Sequence, residues 1–216
     1  MAVYMWDTKV YPAEMFVESC GAILFDLAPA AASASSDDAD SDSDAAAAKK
    51  MTLAHDSKKV CLLHYMAKDQ WLLPKGRRNC RETRQAAAVR EVREESGYAC
   101  RLRPVTMPTR APSDLEAADV QDLPRTYADL TEPFMLEVRD LGQGAGEGVK
   151  LVWWFVAEVL RGGGYGDDAP GVPEAHFAPA FFDCDVALKK LTFQKDRDVL
   201  RRAMDLVETS TWDWSD

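Results

Sequence analysis

The chain has 216 residues, of which 47% are hydrophobic and 29% are charged, and its formal net charge is -10. This length supports one hydrophobic core, and the acidic balance argues against a protein that coats nucleic acid, because attraction to phosphates requires a basic surface. No apolar run reaches the roughly 18 residues that a membrane span requires, and the start of the sequence lacks the order of a secretory signal peptide. We expect one soluble domain over residues 1–216, with its core at about 14–208, located in the cytoplasm or also in the nucleus.

The first half of the sequence predicts three strands interrupted by a long polar insertion. Residues Phe16–Leu27, Lys59–Met66 and Gln70–Gly76 are rich in apolar and β-forming residues and are bounded by prolines or polar turns. Residues 29–56 consist mainly of Ala, Ser and Asp, with few large apolar side chains. Such a composition cannot bury enough surface to become ordered, so we expect a disordered insertion within the domain.

A charged helix follows at residues 84–96, where the sequence is RQAAAVREVREES. Thr83 precedes it as a candidate N-cap, and Gly97 follows where a left-handed residue commonly ends a helix. Glu82 and Arg90 are spaced so that they can pair and tie the preceding loop to this helix. We interpret that pair as structural.

The second half of the sequence predicts strands and then helices. Arg101–Met107 predicts a strand, and an irregular segment continues to about Tyr127. Glu132–Leu141 and Val149–Leu160 predict two further strands, and the helical spacing of apolar residues over 186–208 predicts one or two amphipathic helices. The order indicates a mixed α/β fold in which helices cover a sheet.

The five cysteines are odd in number, widely spaced and without a Cys-x-x-Cys pair. Only three histidines are present to complete a zinc site. This pattern favours reduced thiols over disulfides or a zinc centre.

Three glutamates gather on one side of the charged helix. At about 100° per residue, Glu91, Glu94 and Glu95 fall within an arc of about 100°. Their charges repel one another and lie late in the helix, where the helix dipole disfavours them. A hard divalent cation such as Mg²⁺ or Mn²⁺ would offset this charge, and the cluster lacks the histidines or thiolates that would favour zinc.

The stretch GRRNCRETRQAAAVREVREESGY (residues 76–98) matches the pattern Gly-x5-Glu-x7-Arg-Glu-U-x-Glu-Glu-x-Gly-U, in which U is an apolar or aromatic residue, at every position. The matching residues are Gly76, Glu82, Arg90, Glu91, Val92, Glu94, Glu95, Gly97 and Tyr98. This pattern is the Nudix box, and the chain resembles the Nudix family. The resemblance implies an α/β/α sandwich with a mixed sheet that hydrolyses a diphosphate linkage with the help of divalent cations.

The resemblance also implies roles for individual residues. Glu91, Glu94 and Glu95 would be catalytic and would bind the metal, assisted by a backbone carbonyl near Lys75 or Gly76. Glu82, Arg90 and Gly97 would be structural parts of the box. A carboxylate must still take a proton from the attacking water. The candidates for this general base are Glu91 within the box and, outside it, Glu116, Glu132 and Glu158.

Basic residues open the box, which is unusual on an acidic chain. Because arginine grips phosphate oxygens in pairs, Lys75, Arg77, Arg78 and Arg81 are the predicted substrate-binding residues, although a solvated loop would also explain some of them. The segment WLLPKGR resembles the Nudix branches that act on dinucleoside polyphosphates and diphosphoinositol polyphosphates. The glycine-rich stretch that commonly opens the box in the diphosphoinositol branch is here LPKGRRN. The segments FVESCGAIL, LPKGRRNCRE, PVTMPTRAP and WWFVA are similar to a group of filamentous-fungal Nudix proteins.

The resulting hypothesis is a metal-dependent hydrolase of a phosphoanhydride in a small polyphosphorylated molecule, most consistent with a diphosphoinositol or dinucleoside polyphosphate. The alternatives are a pyrophosphatase of nucleotide sugars, dinucleotides or RNA caps, and a Nudix module that binds nucleotide without catalysis. The cations of the last helix fit a solvated face better than a phosphate contact: Lys195, Arg197, Arg201 and Arg202.

Overall fold

The computed structural model describes residues 8–27, 58–117, 119–142, 147–160 and 173–210. The predicted insertion at 29–56 lies outside the described residues, and the single-domain prediction stays a prediction. The strands are β1 (Phe16–Leu27), β2 (Lys58–Tyr65), β3 (Gln70–Leu72), β4 (Lys75–Arg77), β5 (Cys100–Leu102), β6 (Val105–Thr109), β7 (Arg125–Leu130), β8 (Met135–Asp140), β9 (Val149–Val159) and β10 (Phe177–Asp183). The helices are α1 (Arg84–Ser96), α2 (Cys184–Lys190) and α3 (Gln194–Thr209), with a short 3-10 turn at Ala13–Met15.

Eight of these strands form one mixed sheet. Its central order is β10-β2-β1-β9-β5, and β3, β4 and β8 pair with β2, β1 and β9. The β1 and β9 strands run parallel over a long register, from Phe16 opposite Val149 to Phe25 opposite Glu158, whereas the other pairs are antiparallel. Strands β6 and β7 form a separate two-stranded sheet.

Helices cover both faces of the large sheet, because alternate residues of its central strands are apolar on each side. On one face, Ala87, Ala88 and Val92 of α1 pack against Cys20, Ala22, Leu24, Phe155 and Ala157. On the other face, α2 and α3 pack against a cluster that includes Ile23, Phe25, Val152, Trp154 and Val156. We call these the α1 face and the α3 face. The three layers confirm the predicted α/β/α arrangement with a mixed sheet.

Helix α1 begins and ends as its sequence predicts. The Thr83 hydroxyl accepts a hydrogen bond from the Ala86 N–H at 3.1 Å. Gly97 adopts φ 77°, and its N–H donates to the Arg93 carbonyl at 2.8 Å. These caps fix the phase of the helix and therefore the direction in which its glutamates point.

Two strands were not expected from the sequence. Strand β7 lies in the segment that the sequence analysis treats as irregular, and β10 follows a glycine-rich acidic stretch. Strand β10 contains Pro179, which an edge strand tolerates because one side of its backbone needs no partner. The predicted strand Gln70–Gly76 is divided at Leu73 and Pro74 into β3 and β4, which pair with different neighbours.

All five cysteines are free, as expected: Cys20, Cys61, Cys80, Cys100 and Cys184. Burial raises the pKa of the Cys61 and Cys100 thiols to about 12. Within the described ranges, no helix is both long enough and apolar enough to cross a membrane.

Candidate active site

Two glutamates of α1 meet the backbone of β4. Strand β4 pairs with β1, with Gly76 opposite Cys20, and this register places β4 beside the acidic end of the helix. The Lys75 N–H donates to Glu95 Oε2 at 2.7 Å. The Glu91 carboxylate lies so close to Gly76 that a Cβ on Gly76 would overlap it. Both carboxylates therefore converge on the Lys75–Gly76 peptide.

Arg90 organises the remaining acidic groups. Its guanidinium donates to the two oxygens of Glu82 at 2.8 and 2.9 Å, to Glu91 at 2.7 Å and to Glu94 at 2.8 Å. It also donates to the Arg77 carbonyl at 2.9 Å. One arginine thus ties the loop, the strand and the helix together, and it compensates the repulsion among the glutamates.

Burial changes the acidity of the two inner glutamates. Glu95 is 8% exposed, and burial raises its pKa to about 8, although Lys75 opposes the shift. Burial also raises the pKa of Glu91, against the favourable contact with Arg90. The Glu94 side chain is 55% exposed. Burial of these two carboxylates therefore lowers the free energy of unfolding.

These carboxylates supply the hard oxygen donors that Mg²⁺ and Mn²⁺ prefer. Among the described residues, however, no three acidic, histidine or cysteine side chains are arranged as a ready-made metal cage. Arg90 explains this, because it binds oxygens of Glu91 and Glu94 that a cation would share. The carboxylates fit a divalent ion in their chemistry, and Glu91, Glu94, Glu95 and the Gly76 backbone stay the predicted residues that would hold it.

The predicted substrate-binding residues lie in three different settings. The Arg78 guanidinium donates to Glu18 at 2.8 Å and to the Glu82 carbonyl at 2.9 Å, so it is occupied within the fold. Arg81 is exposed and adopts φ 66° in the loop. Lys75 and Arg77 alternate with Gly76 along β4, so their side chains lie on the α3 face of the sheet.

A comparison with protein-family models identifies residues 48–202 as a NUDIX domain. The match spans more than half of the chain. The chain belongs to the NUDIX domain family. This membership confirms the predicted hydrolase of phosphorus-containing anhydrides. A comparison with curated proteins found no match.

Solved structures similar to this Nudix protein are distant in sequence. A Caenorhabditis elegans Ap4A hydrolase is 14% identical, with 88% of this chain and 98% of that chain covered and a TM-score of 0.46. A NUDIX family hydrolase from Clostridium perfringens is 13% identical, with 89% and 96% covered and a TM-score of 0.48. The Escherichia coli ORF135 protein is 15% identical, with 91% and 95% covered and a TM-score of 0.45.

Glu18 anchors the Nudix box from strand β1, a role that the sequence analysis missed. It accepts hydrogen bonds from Arg78, Arg84 and the Trp153 indole at 2.6–2.9 Å. The Arg84 guanidinium also lies 4.0 Å from the centre of a Trp153 ring. Burial pushes the pKa of Glu18 up, but the hydrogen bonds outweigh it and hold the pKa below its usual range. A charged residue inside the apolar run FVESCGAIL was the available sequence indication.

The candidate bases outside the box lie on other elements. Gly76 lies level with Trp153 of β9 through the register of β1, and Glu158 is five residues further along β9, which is roughly 16 Å along the strand. There Glu158 pairs with Arg101 and Arg103. Glu116 accepts from the Tyr127 hydroxyl at 2.6 Å, and Glu132 is exposed between β7 and β8. The Glu174 N–H instead donates to the Glu94 carbonyl at 2.9 Å. Glu174 therefore brings a further carboxylate to the acidic end of α1, which no sequence pattern indicated.

Proposed function

We propose that this Nudix protein is a Mg²⁺- or Mn²⁺-dependent hydrolase that cleaves a phosphoanhydride in a polyphosphorylated small molecule. A diphosphoinositol polyphosphate or a dinucleoside polyphosphate is the proposed substrate, in line with the resemblance of WLLPKGR to the branches that use these compounds. A cytoplasmic location belongs to the same proposal.

The observation that carries the proposal is the convergence of Glu91 and Glu95 on the Lys75–Gly76 peptide. Buried carboxylates are costly unless a counter-charge or hydrogen-bond donors compensate them, and a cation offsets that cost. Nudix hydrolases generally use divalent metals. Such an ion, when bound, supplies charge neutralisation for phosphate oxygens and lowers the pKa of water.

The residues of the chain would divide the remaining work. The Lys75 N–H fixes Glu95, and Arg90 orients Glu91 and Glu94 while it holds the loop through Glu82. Glu91 lies beside Gly76, whereas Glu116, Glu132 and Glu158 lie on other elements. We therefore assign Glu91 as the group that accepts the proton of the attacking water.

A substrate panel tests this function. The purified full-length protein would be incubated with diphosphoinositol polyphosphates, dinucleoside polyphosphates, ADP-ribose, nucleotide sugars and capped RNA, with Mg²⁺, with Mn²⁺ and with EDTA. We expect metal-dependent release of phosphate or nucleotide, fastest with one of the first two classes. Turnover in EDTA would overturn the metal dependence. Preference for ADP-ribose, nucleotide sugars or capped RNA would favour the alternative pyrophosphatases, and no turnover at all would favour a binding module.

A further inference from the structure

Four neighbouring strands align cationic side chains on the α3 face. In the strand order β8-β9-β1-β4, Arg139 lies opposite Lys150 in one row, and Val152, Ser19 and Arg77 lie side by side in the next row. The adjacent row joins Trp154, Gly21 and Lys75. Because side chains alternate along each strand, these rows share the face that Val152 and Trp154 define.

Three cations in these rows form no salt bridge within 4.0 Å in the described ranges, although the charges of Glu95 and Asp196 act on Lys75 and that of Glu137 acts on Lys150 at longer range. Lys75, Arg77 and Lys150, which we call the cationic cluster, make no ion pair with any residue in the described ranges. Their neighbours Arg139 and Lys195 already share Glu137, at 2.6 and 2.9 Å. Burial lowers the pKa of Lys150, and the charges of Lys75, Arg139 and Arg77 lower it further. Like charges thus oppose one another on a chain whose net charge is -10.

Buried polar atoms without partners occur at the same place. Ser19 Oγ lies in the row of Arg77 and Trp154 Nε1 lies in the row of Lys75, and both residues are 0% exposed without a hydrogen bond from these atoms. Asp196, in the first turn of α3, is 3% exposed, and its Oδ1 lacks a hydrogen bond although Lys195 Nζ lies 3.5 Å away. Orphan polar atoms are rare in folded proteins, and Ser19 Oγ and Trp154 Nε1 can donate to an anion, whereas the Asp196 carboxylate can only accept.

Strand β4 connects this cluster to the candidate catalytic groups. The Lys75 N–H holds Glu95, and the Arg77 carbonyl accepts from Arg90, while both side chains lie on the α3 face. A phosphate chain that reaches the Lys75–Gly76 peptide therefore has cations directly beside it. A neutral sugar or base would leave these side chains without a direct ion pair.

We propose that Lys75, Arg77 and Lys150 bind phosphate groups of the substrate that lie beyond the anhydride to be cleaved. The cluster selects molecules with three or more phosphates over molecules whose remainder is uncharged. This inference rests on the proposed function for its catalytic meaning, but polyanion binding by the cluster can be tested without turnover.

Binding to myo-inositol hexakisphosphate, which has no anhydride to cleave, tests the cluster directly. Calorimetry in EDTA at low ionic strength would compare the wild type with Arg77→Gln/Lys150→Gln. Lys68→Gln is the control, because Lys68 is exposed in the turn before β3 and only its backbone, through the Tyr65 carbonyl, makes a described hydrogen bond. We expect the double variant to lose about tenfold or more in affinity, and the control to stay within about twofold. Equal affinities of the wild type and double variant, or an equal loss in the control, would overturn the proposal.

Kinetics then test selection. With the best substrate of the panel that has three or more phosphates, Lys150→Gln should raise KM while kcat changes little, and Lys150→Arg should restore KM. With ADP-ribose, whose two phosphates both belong to the cleaved anhydride, Lys150→Gln should lower kcat/KM by a smaller factor. An equal loss with both substrates would contradict selection by phosphate number. If the wild type hydrolyses none of the panel, the proposed function fails, and the calorimetric comparison still decides whether the cluster binds polyanions.

Discussion

A buried carboxylate in a hydrolase can be tested by removing its charge and keeping its shape. We predict that Glu95→Gln lowers kcat/KM by about a hundredfold or more, equivalent to about 2.7 kcal/mol of transition-state stabilisation. The amide oxygen can still accept the Lys75 N–H, so the melting temperature should change little. Steady-state kinetics and thermal melting check the two parts.

The matched control is Glu14→Gln, an exposed glutamate in the 3-10 turn before β1. It makes the same chemical change far from the box and should keep wild-type turnover. Wild-type kcat/KM in Glu95→Gln would refute the assignment of Glu95. A collapse of the melting temperature would show that the charge is needed for folding.

Glu18 should contribute stability that depends on pH. Its folded pKa is below the usual value of 4.5, so its contribution is fully present above that value and is lost as pH falls through the lower folded pKa. Glu18→Gln leaves the guanidiniums of Arg78 and Arg84 without their carboxylate. We predict a loss of about 1.5–3 kcal/mol at pH 7, the range for hydrogen bonds to charged groups.

Urea unfolding of wild type and Glu18→Gln between pH 7 and pH 3 measures this effect. The difference in free energy of unfolding should be constant from pH 7 to about pH 5 and should shrink at lower pH. Trp153→Phe removes one hydrogen-bond donor to Glu18 and part of the ring beneath Arg84, but it keeps the Arg78 and Arg84 hydrogen bonds to Glu18 and should cost less than Glu18→Gln. A difference that grows as the pH falls would contradict the role of the Glu18 charge.

At the scale of elements, two glycines have different roles beside the candidate site. Gly76 lies within β4 and makes room for Glu91, whereas Gly21 of β1 lies opposite Lys75 and makes room for the fold. A Cβ on Gly76 would meet the end of the flexible Glu91 side chain, whereas a Cβ on Gly21 would meet the Pro74 backbone and the Trp154 ring. We predict that Gly76→Ala displaces Glu91 and lowers kcat/KM about tenfold or more with little change in stability. Gly21→Ala should instead destabilise the fold by about 1–3 kcal/mol.

Kinetics and melting of both variants separate the two effects. The expected pattern is a lower kcat/KM at an unchanged melting temperature for Gly76→Ala, and a lower melting temperature for Gly21→Ala. Full activity of Gly76→Ala would show that turnover does not depend on the contact between the Glu91 carboxylate and β4.

Elements with strong local patterns were predictable, and elements defined by pairing were not. The apolar run of β1 and the capped, periodic α1 have the bounds that the sequence predicts. Strand β7 has polar residues at three of its six positions and pairs only with β6, and β10 carries a proline on an edge, so neither has the composition of a buried strand. For such strands the partner, rather than the local sequence, decides the structure.

The same distinction applies to the site. The box glutamates lie within one helix, so their spacing reveals them. Glu18 and Lys150 lie near the site because β1 pairs with β4 and with β9, and these pairings join residues that are far apart in sequence. The sequence predicts Arg78 in substrate binding and Lys195 on a solvated face, whereas in the structure Arg78 pairs with Glu18 and Lys195 pairs with Glu137. Only the tertiary arrangement determines which cation is already occupied.

At the scale of the whole molecule, the acidic net charge and the cationic cluster have opposite effects on a polyanion. A chain of net charge -10 repels it at long range, whereas the cluster attracts it within about 8–10 Å, the screening length at physiological salt. Added salt should weaken the long-range repulsion as well as the local attraction. The salt dependence of binding should therefore be weaker than that of a uniformly basic site.

The long connection between β1 and β2 can be shortened to test whether turnover and stability depend on it. Leu27 and Lys58 pair in register, so the ends of this connection lie about 5 Å apart and a short segment can join them. Deleting residues 31–48 shortens the connection from thirty to twelve residues, which reduces the entropy cost of closure by about 0.8 kcal/mol.

We predict that this deletion leaves kcat/KM unchanged and raises the melting temperature by about 3 °C or less. The control replaces residues 31–48 with a Gly/Ser segment of equal length, which keeps the length and removes the acidic composition. Because the candidate site is built from β1, β4, β9 and α1, turnover should not depend on this segment. A fall in turnover in both proteins would show that residues 31–48 contribute to the site, and a fall in the deletion alone would show that the length of the connection is needed.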